Sequence, residues 1–376
     1  MKKLIIFLII LSTLMMTGCW DMIEIEDRIY PYTIGVDLNH NMDKEGKYEF
    51  TISYPNIAAI GKNATSDDPI FIIDDTANSI FELLHKLTTR LQRPIYLKLL
   101  NVVMVSEEVA KDSKSMREIV DSLNRDFIIS KNVQMLLVKD SAKELLTTRL
   151  EPRRQQAIEG SLHGMLINRQ ESSLFIPINF INFIEEMDIS DAAIVPLASP
   201  GKEEIIISGG AILKNYRLIG YLKPMEVRAL AIMNDEINED TIDINFNGAD
   251  LSVMITGVKS KRRLVNEEEN LKIKFDIELE GHIHSFILDR SMTIETEEML
   301  EALQNAVAKN IKEDMDKLVE KVQKEYEVDV FNLRNFISKY HPKLWEEIQD
   351  DWEVIYPDME IEVDVEVFLR RRGLAI

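Results

Sequence analysis

The chain holds a single cysteine in 376 residues, Cys19, so no disulfide can staple it and its core has to carry the fold unaided. Glycine and proline are sparse, 14 and 11 residues, and no low-complexity tract or internal repeat is visible, which excludes fibrous and linker-like organisation. Nowhere do about 20 apolar residues follow one another, so no segment reads as a membrane-spanning helix. Positive charge is in deficit as well. The net charge is −21, and losing Lys2 and Lys3 with an N-terminal leader would take it to −23. Such a surface repels nucleic acid and anionic headgroups alike, arguing against DNA or RNA as partner and against electrostatic docking to a membrane.

No catalytic signature is found either. Gly160-Ser-Leu-His-Gly has the outer glycines of a nucleophile elbow but Leu162 at its centre, where the elbow needs serine. There is no Walker A sequence, no dinucleotide fingerprint and no His-Glu-x-x-His, and Gly209-Gly210 falls in a strand-like run, where a bulge or close packing is its expected role. Glu280-x-His282-x-His284 could present three ligands on one strand side, but these positions continue the polar face of Lys272, Lys274, Asp276 and Glu278, so they read as solvated. The acidic row Glu360, Glu362, Asp364 and Glu366 reads the same way. No cofactor or metal is expected.

What is present begins at the N-terminus. Lys2 and Lys3 precede an apolar or small stretch from Leu4 to Met16, and Thr17-Gly18-Cys19 follows: the layout of a secretory leader, too short to span a bilayer stably. A cysteine directly after a small residue at the end of that core is the lipobox of bacterial lipoproteins, with Met16 where leucine is usual. An ordinary leader with an incidental cysteine is the other reading. On the lipobox reading residues 1–18 are removed and the Cys19 thiol carries a diacylglyceryl group; two chains at about 0.8 kcal/mol per buried CH₂ anchor stably where one would not. Trp20, Asp21 and Glu24 would then lie at headgroup level, where tryptophan is favoured.

The remaining 358 residues exceed the usual single domain, so two or more domains are expected, with the best boundary at Ser199-Pro200-Gly201. In residues 19–200 strand and helix signals alternate. Period-2 runs at 32–38 and 48–54 flank a polar turn and predict a hairpin; Thr76 is a plausible cap for helical spacing from Ile80 to Leu91; strand-like 99–105 and 133–138 alternate with helices around 116–123 and 142–147; 152–170 and 177–187 look helical, and 191–198 strand-like. This predicts an α/β domain. Residues 201–376 predict α+β: a hairpin at 205–222, a helix at 224–233, strands at 251–259 and 271–286, a long helix at 297–326 capped by Thr296, short helices at 331–340 and 342–351, and a strand at 361–369. The fold class is therefore mixed α/β and α+β, multi-domain, with antiparallel or mixed sheets and one long helix in the C-terminal half. That helix carries one apolar stripe, which fits packing on its own sheet or a coiled-coil seam.

A series of segments runs through the chain in order: Gly18-Cys-Trp-Asp with Glu24-Ile25, Gly35-Val-Asp, Phe81-Glu-Leu-Leu-His-Lys-Leu, Val103-Met-Val-Ser-Glu-Glu-Val-Ala, Gly209-Gly-Ala-Ile-Leu-Lys, Leu218-Ile-Gly-Tyr-Leu, Tyr340-His-Pro-Lys-Leu-Trp and Trp352 to Arg371. In these the chain resembles the Ger(x)C spore germination lipoproteins, the C subunits of nutrient germinant receptors. The resemblance implies three α/β-type domains, so either half could subdivide. It implies no enzyme activity, and a place beside a multi-span A subunit and a transporter-like B subunit, lipid-anchored on the outer face of the spore inner membrane. The alternative is a solute-binding lipoprotein of a transporter, which usually has two similar βαβ lobes and a hinge.

Overall fold

The structure, a computed structural model, describes residues 27–56, 70–125, 128–147, 162–167, 173–202, 204–237, 239–267, 270–286 and 296–370. Two mixed sheets organise it. The first has strand order β3-β2-β1-β4-β5-β7-β8-β9. Its middle is parallel: β1 (Thr33–Leu38), β4 (Val102–Ser106), β5 (Gln134–Val138) and β7 (Ala192–Pro200). Antiparallel strands extend it on either side: β2 (Tyr48–Pro55) and β3 (Ile70–Ala77) on one, β8 (Ile205–Lys214) and β9 (Arg217–Leu222) on the other. The two-residue β6 (Ile178–Asn179) pairs with β5.

Parallel strands need crossovers, and helices supply them. The expected hairpin of β1 and β2 is present. Next come α1 (Ile80–Leu87), α2 (Glu107–Lys111), α3 (Ser113–Arg125), α4 (Ala142–Thr147) and α5 (Phe180–Ser190). The central strands are buried on both faces, so Val103, Val105, Met135 and Leu137 pack with α1, α3 and α5, while Val102, Met104, Leu136 and Val138 pack with Ala142 and Leu145 of α4. This is the signature of a parallel sheet between helical layers. One cap and one helix start differ from expectation. Thr76 lies in β3, and Ser79 caps α1 by accepting from the Glu82 amide at 3.2 Å; α5 starts after Asn179, whose side chain accepts from the Asn182 amide at 2.9 Å.

The Ser199–Gly201 stretch is a connection between neighbouring strands, since β7 and β8 pair antiparallel on its two sides and the first sheet runs on to Leu222. Beyond it, α6 (Pro224–Met233) is apolar almost all round and buried from Ala229 to Met233, while Met225 in its first turn is exposed. It packs between Ile194, Ile212 and Leu222 of the first sheet and the second sheet's core.

That second sheet runs β10 (Asp240–Phe246), β11 (Ala249–Glu267), β12 (Asn270–Phe286), β13 (Glu360–Arg370). β10 is absent from the expectations, although Asn247-Gly248, both at positive φ, forms a two-residue hairpin turn between Phe246 and Ala249. β13 lies parallel to β12, and the long α7 (Glu297–Glu320) forms the crossover, its buried stripe of Leu303, Val307, Ile311, Met315 and Leu318 packed on the sheet. Thr296 caps it as expected, accepting from the Met299 amide. A π-helical turn (Lys321–Glu325), α8 (Leu333–Tyr340), α9 (Pro342–Ile348) and α10 (Trp352–Ile355) complete the chain before β13.

Two polar rows resolve differently from each other. The acidic face of β13 is exposed and matched by lysines of β12: Lys272 pairs with Glu360 and Glu362, and Lys274 with Glu362 and Asp364, holding the Glu362 carboxyl at about 2. His282, expected on the solvated face, is buried at 8% exposure. Beside it β11 bulges at Thr256, and a side chain on Gly281 would meet the Met254 carbonyl at 2.4 Å, so the strands close up where the face was expected to open. The His284 side chain lies outside the described residues.

Candidate functional site

Cys19, Trp20, Asp21 and Glu24 lie outside the described residues, as do most of 152–170. The first described residue, Asp27, is eight positions from Cys19, a reach of at most about 29 Å. From there the chain is fixed to the body at once. The Ile29 amide donates to the Pro94 carbonyl at 3.0 Å, the Tyr96 amide donates to the Ile29 carbonyl at 2.8 Å, and the Arg28 guanidinium stacks 4.2 Å from the Tyr96 ring centroid.

The motifs further on that carry the resemblance are positioning devices. In Gly35-Val-Asp, the missing side chain of Gly35 admits Ala142 and Leu146 of α4, and Asp37, 7% exposed, receives the amides of Ala142 and Lys143, each at 2.9 Å, and so caps α4. Gly209-Gly210 has the bulge and close packing expected of it. Gly209 sits at φ +79° where β7 and β8 slip register, with the Leu222 carbonyl in its side-chain position, and Gly210 lies against Ile194. Gly220 of β9 faces the Tyr326 ring. In the C-terminal motif Trp345, Trp352 and Tyr356 stack edge to face or tilted at 5.6 and 5.8 Å.

A cleft lies between the two sheets, a cavity of about 430 Å³ bordered by α5, β7, α6, β11 and the turn before α8. Its charged groups are Glu186, Glu236, Arg262 and Asp329. Arg262 is committed: it donates to the Phe331 carbonyl at 2.7 Å and to Asn234 Oδ1 at 2.8 Å, and burial lowers its pKa. Asp329 accepts from the Leu333 and Arg334 amides at the start of α8, and burial raises its pKa. Glu186 also faces the cleft; burial first, then the Glu236 carboxylate, pushes it up to about 8, against the opposing pull of a hydrogen bond from the Ile194 amide. Sequence gave no signal for this, since Glu185-Glu186 reads as an ordinary solvated pair.

Around the cleft, polar contacts tie the halves. Arg334 donates to Asp191 Oδ2 at 2.8 Å and Glu353 Oε1 at 2.9 Å, Lys214 to Glu353 Oε2 at 2.8 Å, and Ser190 to Asn332 at 3.0 Å. The cleft thus offers a protonatable carboxyl held in a fixed joint. Among the described residues no group of three or more His, Cys, Asp or Glu is placed to hold a metal, and no helix is long and apolar enough to cross a membrane.

Comparison with known proteins covers nearly the whole chain. The family model described as "Spore germination protein N-terminal domain" matches residues 21–200, and that described as "Spore germination B3/ GerAC like, C-terminal" matches residues 208–373. Spore germination protein KC of Bacillus subtilis (strain 168) is 23% identical over 399 residues, covering 99% of this chain and 96% of that protein. Spore germination protein A3 of the same organism is 22% identical over 375 residues, covering 99% and 98%. Among solved structures, the crystal structure of the GerBC protein superposes with a TM-score of 0.62 at 16% identity over 89% of this chain and 97% of that one, a likeness of fold.

Proposed function

Since the chain belongs to the GerAC-like family of spore germination proteins, we propose that it is the lipid-anchored, non-catalytic C subunit of a nutrient germinant receptor, needed for nutrient-triggered germination. It would sit on the outer face of the spore inner membrane, held by diacylglyceryl-Cys19, beside a multi-span A subunit and a transporter-like B subunit. The observation that carries this reading is the extent of the family match, which starts at Asp21, two residues after the lipobox cysteine, and runs to residue 373. The eight-residue step from Cys19 to Asp27 adds to it, because so short a tether keeps the body against the bilayer.

The joint between the sheets disfavours the solute-binding alternative. Such proteins close two lobes around a hinge; here the apolar α6 packs against both sheets beside the cleft, and Arg334 and Lys214 bridge the rim. The test is detergent extraction of spore membranes carrying a tagged chain. Recovery of the A and B subunits with it, and loss of nutrient response on its deletion, supports the receptor reading. Micromolar binding of a nutrient by this chain alone in titration calorimetry, without A and B subunits in the eluate, supports the transporter one.

A further inference from the structure

A second cavity, about 640 Å³, opens where the chain enters the body after the anchor segment. Three arginines border it: Arg28 at the chain entry, and Arg90 and Arg93 from the segment after α1. Between them stand Tyr30, Tyr54 and Phe71, the last 46% exposed and tilted against Tyr54 at 5.5 Å. No aspartate or glutamate is among the described residues that border the cavity. Among the described residues, Asp75 accepts from Arg90 at 2.9 Å and partly offsets its charge, the Asp74 carbonyl accepts from the same guanidinium at 3.2 Å, and Asp27 is exposed beside Arg28. Lys98 and Leu99, both exposed, follow Tyr96 in the next turn.

This is a cationic, aromatic surface on a chain of net charge −21, and it lies at the point where the polypeptide leaves for Cys19. Net charge does not decide the matter at this range. The Debye length at physiological salt is about 8 Å, so acidic residues elsewhere on the body are screened while a phosphate in contact feels the arginines. Arginine can lay its apolar stem along the rings and keep its guanidinium at the phosphate, and tyrosine favours the same depth of the bilayer. Bidentate geometry suits a phosphate oxygen pair.

We propose that this face, bordered by Arg28, Arg90, Arg93, Tyr30, Tyr54 and Phe71, docks on anionic phospholipid headgroups and sets the orientation of the body on the membrane. The occupant is a bilayer because the cavity begins at Arg28, at most about 32 Å of chain from Cys19, and its arginines carry charge opposite to the headgroups. It rests on the proposed Cys19 anchor for its setting in the spore. It replaces the expectation from total charge that lipidation alone holds the protein down: the lipid would hold, and the arginines would orient.

The single cysteine allows a test that does not depend on natural lipidation. The chain from Cys19 onward is coupled through Cys19 to maleimide-phosphatidylethanolamine in vesicles of phosphatidylcholine, with or without phosphatidylglycerol. Amide exchange is then followed in peptides spanning 28–32 and 90–98. Expected is exchange slower with phosphatidylglycerol by about fivefold for each contacting arginine, on the order of a hundredfold if all three engage. Exchange in β4 should stay unchanged. Arg28→Gln, Arg90→Gln and Arg93→Gln combined, or 0.5 M salt on the unaltered chain, should erase the difference. Equal exchange on the two vesicle types overturns the proposal, as does slowing that survives both the substitutions and salt; the latter would assign the cavity to residues 20–26 of the chain itself. An unmodified Cys19 in spores would overturn the anchor and leave this result standing.

Discussion

The ring of Tyr326 closes on the bare α-carbon of Gly220: a β-carbon there would lie 2.3 Å from two of its ring carbons. Gly220 belongs to the outer strand of the first sheet, and Tyr326 ends the π turn after the long helix of the second. The contact is therefore a seam between the two halves. Lys321 strengthens it from the same turn, donating to the Tyr221 carbonyl at 3.0 Å and to Glu226 Oε2 at 2.8 Å.

Gly220→Ala should destabilise the protein by about 1–3 kcal/mol, the usual cost of overpacking. Combined with Tyr326→Ala, it should cost less than the sum of the two single changes, since the second makes room for the first. Denaturant unfolding of the four chains measures this, and strict additivity would mean that the ring moves aside freely.

Asp37→Ala should cost about 1–2 kcal/mol, because it removes the acceptor of two amides at the start of α4. Asp37→Asn keeps an acceptor and should recover part of the loss. Thermal unfolding of the pair ranks them; an alanine chain as stable as the parent would show that water replaces the cap without penalty.

Glu186 makes stability depend on pH with a definite sign. Its folded pKa, about 8, is above the ordinary 4.5, so the native state holds a proton that the unfolded chain has released. Its contribution is fully present below the unfolded value and is lost as pH rises from about 4.5 to 8. Glu186→Gln should therefore melt closer to the parent at pH 5 and above it at pH 8.5. A gap that does not widen with pH would show that Glu186 is ionised in the folded protein.

Much of the fold was legible because its signals are local. Alternation over 32–54 and three-four spacing over 297–326 specify β1, β2 and α7, the last giving way to a π turn after Glu320, wherever those segments end up. β10 could have been read from Asn247-Gly248, the residues of a two-residue hairpin turn, flanked by Phe246 and Ala249. That β13 pairs parallel to β12 could not, since its partner is set by the path of α7 across the sheet rather than by its own pattern. Burial explains the other misses. His282 and Glu186 look solvated from their neighbours in sequence, and only the bulge at Thr256 and the packing of α5 over the cleft change that. Likewise Arg28, Arg90 and Arg93, scattered along an acidic chain, gain meaning only when folding gathers them.

The attachment itself is tested most directly by the mass of the N-terminal peptide of the protein recovered from spore inner membranes. Expected is a peptide beginning at Cys19 whose mass carries a diacylglyceryl thioether, and its loss from membranes in Cys19→Ala spores together with the nutrient response. A peptide that continues upstream through Gly18, or that begins at Cys19 with a free thiol, would contradict a lipid-anchored receptor subunit.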